Sequence, residues 1–323
     1  MALSLVRILS FFSLFVFAIV CSAGAAVAKA AEETRSTAPP NRVMRGIYLH
    51  NGFARNLSSV ERYVQQGKPL GLNMFVLDVQ TYGGQKALIT TNVMHYLRQE
   101  GMYTAMRVVC FQDGIKTLPI PQWQLNNLYT IIEDSAKCGA DEVQLDYIRF
   151  EDSWNGIPIE QKNATIENIL AKARTLVAPY NVKLSADVFG RIPYNRRDAV
   201  GQNIEGFAKH VDVIYPMLYP SHFTADTLRL SQPGFTVKEG TQLTLDRVQG
   251  TGVAVQPYIQ VFHYNIGWAQ VNLVRYIELQ IEGAESTTGR GWVAWNAGGE
   301  YGELWQAMGN VSRRAAEVSV SQK

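Results

Sequence analysis

Eight short apolar segments recur along the chain, and most are followed by a polar loop and a longer amphipathic stretch. Several segments are apolar through most of their length, which is typical of parallel strands buried on both faces. Strand and helix that alternate eight times within roughly 250 residues match the size of a (β/α)8 barrel. The predicted strands are residues 44–50, 74–80, 103–111, 142–150, 183–190, 211–220, 254–262 and 291–297.

This alternation predicts an α/β protein that folds as one (β/α)8 TIM barrel. An open doubly wound sheet has the same alternation and is the alternative. No G-x-G-x-x-G or Walker pattern follows a strand, so the nucleotide-binding form of that sheet is not supported. Helices are predicted at residues 58–66, 92–100, 126–137, 165–177, 202–209 and 268–282.

Residues 1–30 have the pattern of a secretory signal peptide. Arg7 is a short basic start, residues 8–20 are apolar, and A-x-A-like cleavage sites end at Ala28 and Ala30. An uncleaved anchor is the alternative, although the apolar run is shorter than the ~20 residues that a membrane span needs. We therefore expect a secreted or periplasmic protein with no stable membrane insertion after signal cleavage.

The rest of the chain divides into three parts. Residues 31–42 are polar and include Pro39 and Pro40, so they predict a flexible lead-in. Residues 43–311 carry the strand and helix pattern and predict one catalytic barrel domain. Residues 312–323 predict a frayed polar tail.

Composition restricts the class of partner. The net charge of +2 predicts no strong electrostatic attraction to nucleic acid or to anionic membranes. Aromatic residues make up 11% of the chain, which suits a protein that stacks rings against a ligand, although large cores also contain aromatics. The expected partner is a polysaccharide or oligosaccharide and not nucleic acid, and the sequence leaves the oligomeric state open.

Three predicted strands each end in an aspartate, at Asp78, Asp146 and Asp187. A carboxylate in an apolar strand is costly to bury without a partner or a purpose. Cleavage of a glycosidic bond needs two carboxyl groups, one protonated and one ionised. Asp146 and Asp187 end adjacent strands, and we predict that they are the catalytic pair. The structural alternative is that one or more of these aspartates caps a loop or pairs with Arg107, Arg149 or Arg191.

Polar and aromatic residues also cluster where the predicted strands end. Sugar rings present apolar C–H faces to aromatic side chains, while their hydroxyls meet polar groups. Many of these residues also suit simple packing under loops. The predicted substrate-binding residues are Asp78, Tyr82, Arg149, Glu151, Trp154, Tyr219, His222, His263, Trp295 and Asn296.

The sequence does not support a familiar metal or nucleophile site. None of its five histidines forms H-x-H or H-E-x-x-H, and no G-x-S-x-G occurs. A Mg²⁺ or Ca²⁺ site built from aspartate oxygens stays open as an alternative. We predict no metal and no cofactor, because two carboxyl groups suffice for glycoside hydrolysis.

Residues 141–150 read D-E-V-Q-L-D-Y-I-R-F. They resemble the D-E-[IV]-Q-x-D-Y-[IV]-R-F signature of a bacterial family of TIM barrels that is named for glycoside hydrolases by analogy to other sugar-cleaving barrels. Residues 185–190, 211–222 and 295–297 are similar to further motifs of that family. The resemblance covers about residues 44 to 301 and implies a glycosidase-like barrel with Asp146 and Asp187 at the acidic strand ends. The family continues R-F-P, whereas this chain has Glu151 after R-F.

The sequence thus supports three hypotheses. The first is a glycoside hydrolase that cleaves O-glycosidic bonds of an extracellular or cell-envelope polysaccharide. The second is a non-catalytic glycan-binding TIM barrel of the cell envelope, in which the acids only hydrogen-bond sugar. The third is a structural envelope protein that uses the barrel as a scaffold.

Overall fold

The computed structural model describes residues 43–153 and 156–321. The predicted signal peptide and the whole of the predicted lead-in lie outside the described residues, and so does Trp154. Among the described residues, every helix is too short or too polar to cross a bilayer.

In the described part of the chain, nine strand segments form one parallel sheet that closes on itself. Strands β1 to β6 pair with one another in chain order. Strand β6 also pairs with β7 and β8, β8 pairs with β9, and β9 pairs with β1 to close the ring. The segments are β1 (Met44–Leu49), β2 (Met74–Asp78), β3 (Tyr103–Val109), β4 (Glu142–Asp146), β5 (Lys183–Phe189), β6 (Val213–Met217), β7 (Ala254–Val255), β8 (Tyr258–Gln260) and β9 (Gly291–Trp295). The closed ring confirms the predicted TIM barrel and excludes the open sheet.

The seventh position of the barrel holds two short segments where the sequence predicted one strand over residues 254–262. Pro257 lies between β7 and β8 and has no N–H to donate to a neighbouring strand. The backbone hydrogen bonds between strands are interrupted here. The side chain of Gln256 replaces one of them, because its Nε2 donates to the carbonyl oxygen of Trp292 at 3.1 Å.

Helices follow most strands and cover the sheet. They are α1 (Asn51–Ala54), α2 (Leu57–Gly67), α3 (Thr91–Gln99), α4 (Gln122–Lys137), α5 (Ile159–Val177), α6 (Ile204–Phe207), α7 (Thr227–Ser231), α8 (Pro233–Arg247), α9 (Leu273–Glu285) and α10 (Gly302–Ser321). Helices α1, α7, α8 and α10 were not predicted; α1 and α7 are single short turns, and the pattern of apolar residues in α8 is weak. Residues 312–321 are helical and are not a frayed tail, because α10 continues to Ser321.

Alternation along the strands separates an apolar shell from a polar interior. On β4, Val143 and Leu145 belong to the hydrophobic core between sheet and helices. The residues between them, Glu142, Gln144 and Asp146, point into the barrel and are buried there. Polar side chains therefore fill much of the interior, where branched apolar residues are common in this fold.

A buried ion pair occupies the N-terminal end of the interior. Glu142 accepts hydrogen bonds from the hydroxyls of Tyr103 (2.9 Å) and Tyr215 (2.7 Å) and from Arg290 Nη1 (2.9 Å). Burial raises the pKa of Glu142, but the Arg290 charge and these hydrogen bonds outweigh it and lower the pKa overall. This carboxylate is fully paired, so it contributes to the structure at the end opposite the strand C-termini.

Closure of the ring depends on Gly291. This residue pairs with Met44 across the β1–β9 junction and has a φ of +125°, which favours glycine. A Cβ atom at Gly291 would overlap the backbone carbonyl of Met44. We expect Gly291→Ala to lower the free energy of unfolding by about 2–4 kcal/mol, since it adds backbone strain and a steric clash.

Chemical denaturation of the full chain measures this effect. The matched control is Gly302→Ala, because a Cβ atom at that position would have open space around it. Equal free energies of unfolding for the two variants would contradict the steric constraint assigned to Gly291.

Candidate functional site

Three strands deliver charged side chains to the C-terminal end of the barrel interior. Arg107 on β3 lies between Asp78 on β2 and Asp146 on β4, and all three are buried. Arg107 donates to Asp146 Oδ2 from Nε (2.9 Å) and from Nη2 (2.6 Å), and Nη1 donates to Asp78 Oδ1. One guanidinium thus neutralises part of the charge of two carboxylates.

The remaining oxygens of these carboxylates also have donors. The hydroxyl of Tyr48 donates to Asp78 Oδ2 at 2.6 Å, and the backbone N–H of Tyr147 donates to Asp146 Oδ1 at 2.6 Å. Hydrogen bonds to every oxygen stabilise the charged form of a carboxylate. The arrangement therefore holds the Asp146 side chain in a fixed orientation.

Asp187 has a different environment. Leu145 pairs with Ala186, so the next residues, Asp146 and Asp187, lie side by side on neighbouring strands. Asp187 is 1% exposed, and both carboxyl oxygens are buried without a hydrogen-bond partner among the described residues. Burial, and next the negative charge of Asp146, raise the pKa of Asp187 well above its ordinary value. Asp187 therefore keeps its proton to a higher pH than an ordinary aspartate does.

A cavity of about 390 Å³ opens above this cluster, large enough for a sugar unit. Asp146 and Trp295 lie on its lining, whereas Asp187 does not. The structure thus brings the two predicted catalytic carboxyl groups together but opens only Asp146 to the cavity. The lining residues are Asp146, Tyr147, Asp152, Phe189, Gly190, Arg191, Met217, Tyr219, His222, Phe223 and Trp295.

Aromatic rings support the cation beneath the cavity. The ring of Tyr48 stacks on Trp295 with centroids 3.9 Å apart. The guanidinium carbon of Arg107 lies 5.3 Å from the Tyr48 ring and 5.1 Å from the Trp295 ring. Cation–π contacts of this kind favour a charged guanidinium in a dry site. They also fix the plane of Trp295, whose ring borders the cavity.

Tyr147 has a strained backbone directly after the cavity carboxylate. Its φ is 52°, which is uncommon for a residue other than glycine. This conformation coincides with the short hydrogen bond from its N–H to Asp146 Oδ1. Strain of this kind concentrates at functional sites, where surrounding structure maintains it.

Three predicted binding residues border the cavity, namely Tyr219, His222 and Trp295. Desolvation lowers the pKa of His222, so near pH 7 the neutral ring offers one donor and one acceptor. Asp78 lies below, bound to Arg107 and Tyr48. These four predictions fall on the cluster and its cavity.

Other predicted binding residues do not line the cavity. Tyr82 is 98% exposed on the loop after β2, and His263 is exposed on the loop after β8. Arg149 donates to the carbonyl oxygens of Phe150 (3.0 Å) and Gln112 (3.2 Å), so it fastens loops. The backbone N–H of Glu151 donates to Ile115 at 3.2 Å.

Asn296 is also committed to the backbone and does not line the cavity. Its Nδ2 donates to the carbonyl oxygen of Val261 at 2.6 Å, and its Oδ1 accepts from the N–H of Gly298 at 2.8 Å. Both polar ends of the side chain are used in holding the loop after β9. A contact between Asn296 and substrate therefore requires that one of these bonds break.

Sequence reasoning treated Arg107 only as a possible ion-pair partner and overlooked Tyr48 and Asp152. Arg107 lies on the same face of β3 as Tyr103 and Ala105, and this face points into the barrel interior. Asp152 lies on the cavity wall, with its side chain 60% exposed, and bonds to Arg191 Nη2 at 2.8 Å. It follows β4 by several residues, and strand periodicity does not extend into such a loop.

Within the described ranges, no group of three or more histidine, cysteine, aspartate or glutamate residues has the geometry to hold a metal ion. A second cavity of about 400 Å³ lies beside the loop after β3, and its lining includes Cys110, Asp113 and Lys116.

Comparison with known proteins identifies the family. Residues 126–301, more than half of the chain, match the family model described as "Putative glycosyl hydrolase domain". The match covers β4 to β9 and contains Asp146 and Asp187. It confirms the family resemblance at the level of a glycosyl hydrolase domain. No curated protein matches the sequence.

Solved structures with the same fold include three from carbohydrate-active proteins. The PgaB (BpsB) glycoside hydrolase domain of Bordetella bronchiseptica has a TM-score of 0.60 at 11% identity, over 79% of this chain and 94% of that one. An endo-β-1,4-mannanase of Thermotoga petrophila has a TM-score of 0.58 at 10% identity, over 80% and 68%. A chitinase of Chromobacterium violaceum has a TM-score of 0.54 at 12% identity, over 82% and 98%. At these identities the likeness shows the fold alone.

The raised pKa of Asp187 predicts a specific dependence of stability on pH. Because the folded protein holds the Asp187 proton more tightly than the unfolded chain, the contribution of Asp187 to stability falls as pH rises above about 4, the ordinary aspartate pKa. Asp187→Asn removes this titration. We expect the variant to gain stability over wild type with increasing pH, by at most about 1.4 kcal/mol per pH unit. Urea unfolding at a series of pH values measures the difference.

Asp198→Asn is the matched control with the opposite sign. Burial raises the pKa of Asp198, but hydrogen bonds from Arg191, Val200 and Asn195 outweigh it and lower the pKa overall. Its stabilisation is present above the ordinary pKa and is lost as pH falls. Asp198→Asn should therefore destabilise the protein near pH 7 and less so in acid. A flat difference for Asp187→Asn would show that Asp187 is ionised in the folded protein.

Proposed function

We propose, because the chain belongs to the glycosyl hydrolase domain family that residues 126–301 match, that it hydrolyses O-glycosidic bonds of an extracellular or cell-envelope polysaccharide. The observation that carries the proposal is a carboxylate at the floor of a sugar-sized cavity beside a buried carboxyl group whose pKa is raised. Glycoside hydrolysis needs one carboxyl group that supplies a proton and a second, ionised one that attacks or activates water.

Asp146 takes the role of the ionised group. Its carboxylate borders the cavity and is held by Arg107 and by the N–H of Tyr147. It either attacks the anomeric carbon or removes a proton from the attacking water. The negative charge also stabilises the positive charge that develops on the sugar ring in the transition state.

Asp187 takes the role of the general acid. Its proton moves to the glycosidic oxygen as the bond to the anomeric carbon breaks, and the leaving sugar departs as an alcohol. When Asp146 bonds to the sugar or gains a proton, its charge disappears and the repulsion that raises the pKa of Asp187 falls. This coupling makes the Asp187 proton easier to release at the step that needs it. Delivery also requires the floor to open, because both oxygens of Asp187 are sealed in the free protein.

Aromatic and neutral polar groups on the cavity wall bind the sugar. Trp295 and Phe223 present apolar surface to a pyranose ring, while the Tyr219 hydroxyl and the neutral His222 ring meet its hydroxyls. The names of similar structures, a chitinase and a β-1,4-mannanase, make chitin and β-1,4-mannan reasonable test substrates beside purified peptidoglycan.

The sealed position of Asp187 favours a second candidate, a barrel that binds glycan without turnover. In that case Asp146 accepts hydrogen bonds from sugar hydroxyls and Asp187 only reduces the charge of the interior. The two candidates differ in whether bond cleavage occurs, so one substitution separates them.

Asp146→Asn tests the catalytic proposal. The amide keeps the shape of the side chain but loses the charge that attacks or activates water. We expect turnover to fall by at least about a thousandfold while binding of the same polysaccharide persists. Turnover is measured as reducing ends released from peptidoglycan, chitin and β-1,4-mannan, and binding by affinity electrophoresis.

The control is Asp246→Asn, at an exposed aspartate of helix α8 that should not affect turnover. A thermal melt of both variants excludes unfolding as the cause. Undiminished turnover in Asp146→Asn would contradict the assigned role. Wild-type binding with no release of reducing ends would establish the glycan-binding alternative.

We also propose that the protein acts outside the cytoplasm, from the signal pattern of residues 1–30. Expression of the full chain in a bacterial host should yield a mature form that begins after Ala28 or Ala30. N-terminal sequencing of the protein from periplasm and medium measures this, and full-length protein confined to the cytoplasm would contradict it.

A further inference from the structure

The loop between β8 and α9 presents two large aromatic residues to solvent. Tyr264 is 51% exposed and Trp268 is 54% exposed. Exposed aromatic residues near a binding cavity often mark a recognition surface, whereas scattered ones have no special meaning. Whether this loop is such a surface depends on how firmly it is held and on where Tyr264 lies relative to the cavity.

The loop is held by a buried side chain, Gln260 at the end of β8. Gln260 Nε2 donates to the carbonyl oxygens of Phe262 (3.1 Å) and Tyr264 (3.0 Å). Its Oε1 accepts from the backbone N–H of Ser221 at 3.2 Å. One amide therefore joins the loop after β8 to the loop after β6, which carries His222.

The backbone of the same loop has two conformations that cost energy. Asn265 has a φ of 50° and Gln270 a φ of 53°, and neither is glycine. Together with the bonds from Gln260, they indicate a loop built to one shape. A rigid loop presents an aromatic ring at a lower entropic cost of binding than a flexible one.

Tyr264 continues the aromatic wall of the cavity. The rings of His222 and Tyr264 have centroids 5.9 Å apart, and His222 lines the cavity together with Tyr219, 5.5 Å away. Phe262 packs beneath, 5.8 Å from Tyr219 and 6.2 Å from His222. A continuous row of rings thus runs from the cavity to the outer rim.

We propose that Tyr264 forms a second sugar-binding subsite, where it stacks on a sugar unit of the polysaccharide chain beyond the unit held in the cavity. This inference rests on the proposed function. The occupant is a carbohydrate chain because the row begins in the cavity, and because the exposed ring suits the apolar face of a pyranose. With this subsite, the protein binds oligosaccharide chains more tightly than single sugars.

Substitution at Tyr264 in the full-length protein tests the subsite. The probes are oligosaccharides of graded length, prepared from whichever of peptidoglycan, chitin and β-1,4-mannan the wild type binds or cleaves. Tyr264→Ala should raise KM or Kd for long oligosaccharides by about fivefold or more and leave the shortest ones unchanged. Tyr264→Phe keeps the ring and should behave as wild type. Trp123→Ala, at an exposed aromatic residue of α4 outside the row, should also behave as wild type.

The outcomes separate the subsite from the catalytic proposal. If wild type binds or cleaves a polysaccharide and Tyr264→Ala has wild-type constants at every length, the subsite is refuted while the proposed function stands. An equal loss for short and long oligosaccharides would also refute it, since that pattern indicates damage to the cavity. If wild type neither binds nor cleaves any of the three polysaccharides, the proposed function fails and the subsite fails with it.

Discussion

Burial of carboxylates inside a parallel barrel requires a cation at the same depth, and Arg107 supplies it. Its guanidinium bonds to Asp78 and Asp146 at once and lies over the rings of Tyr48 and Trp295. Without that charge, neighbouring carboxylates in a dry interior would repel each other strongly. Arg107 therefore helps to hold Asp146 at the cavity floor, and it also supports the ring of Trp295 beside it.

Arg107 bonds to two of the three acids at this end of the barrel, and burial dominates the environment of the third, Asp187. Burial, and next the negative charge of Asp146, raise the pKa of Asp187, and the charge of Arg107 offsets this only in part. At the opposite end of the barrel, Arg290 serves Glu142 alone and that carboxylate is ionised. Two buried carboxyl groups in one barrel interior thus have pKa values shifted in opposite directions. The pair that is fully matched is structural, and the cluster that is short of one cation is suited to proton transfer.

The loops at the C-terminal end of the barrel extend the site beyond the strands. Gln260 ties the loop after β6 to the loop after β8, and this bond places His222 and Tyr264 in one aromatic row. Strand ends in this fold position reactive groups, and the loops that follow them determine which ligands fit. Here the strands supply the acids, whereas the loops supply the surface that a carbohydrate chain can follow.

Local pattern alone determined the barrel and the aspartates at the ends of β2, β4 and β5, because burial on both faces leaves a continuous apolar run and an aspartate interrupts it visibly. Alternation along β4 also placed Gln144 and Asp146 on the same face of the strand. The tertiary structure determined which acids are paired, because Arg107 bonds to a carboxylate on a neighbouring strand, thirty-nine residues away in the chain. It likewise decided that Asp187 is sealed, that Asn296 is used by the backbone, and that Tyr264 reaches the row. These properties depend on distances between segments far apart in the chain, which no periodicity within a segment records.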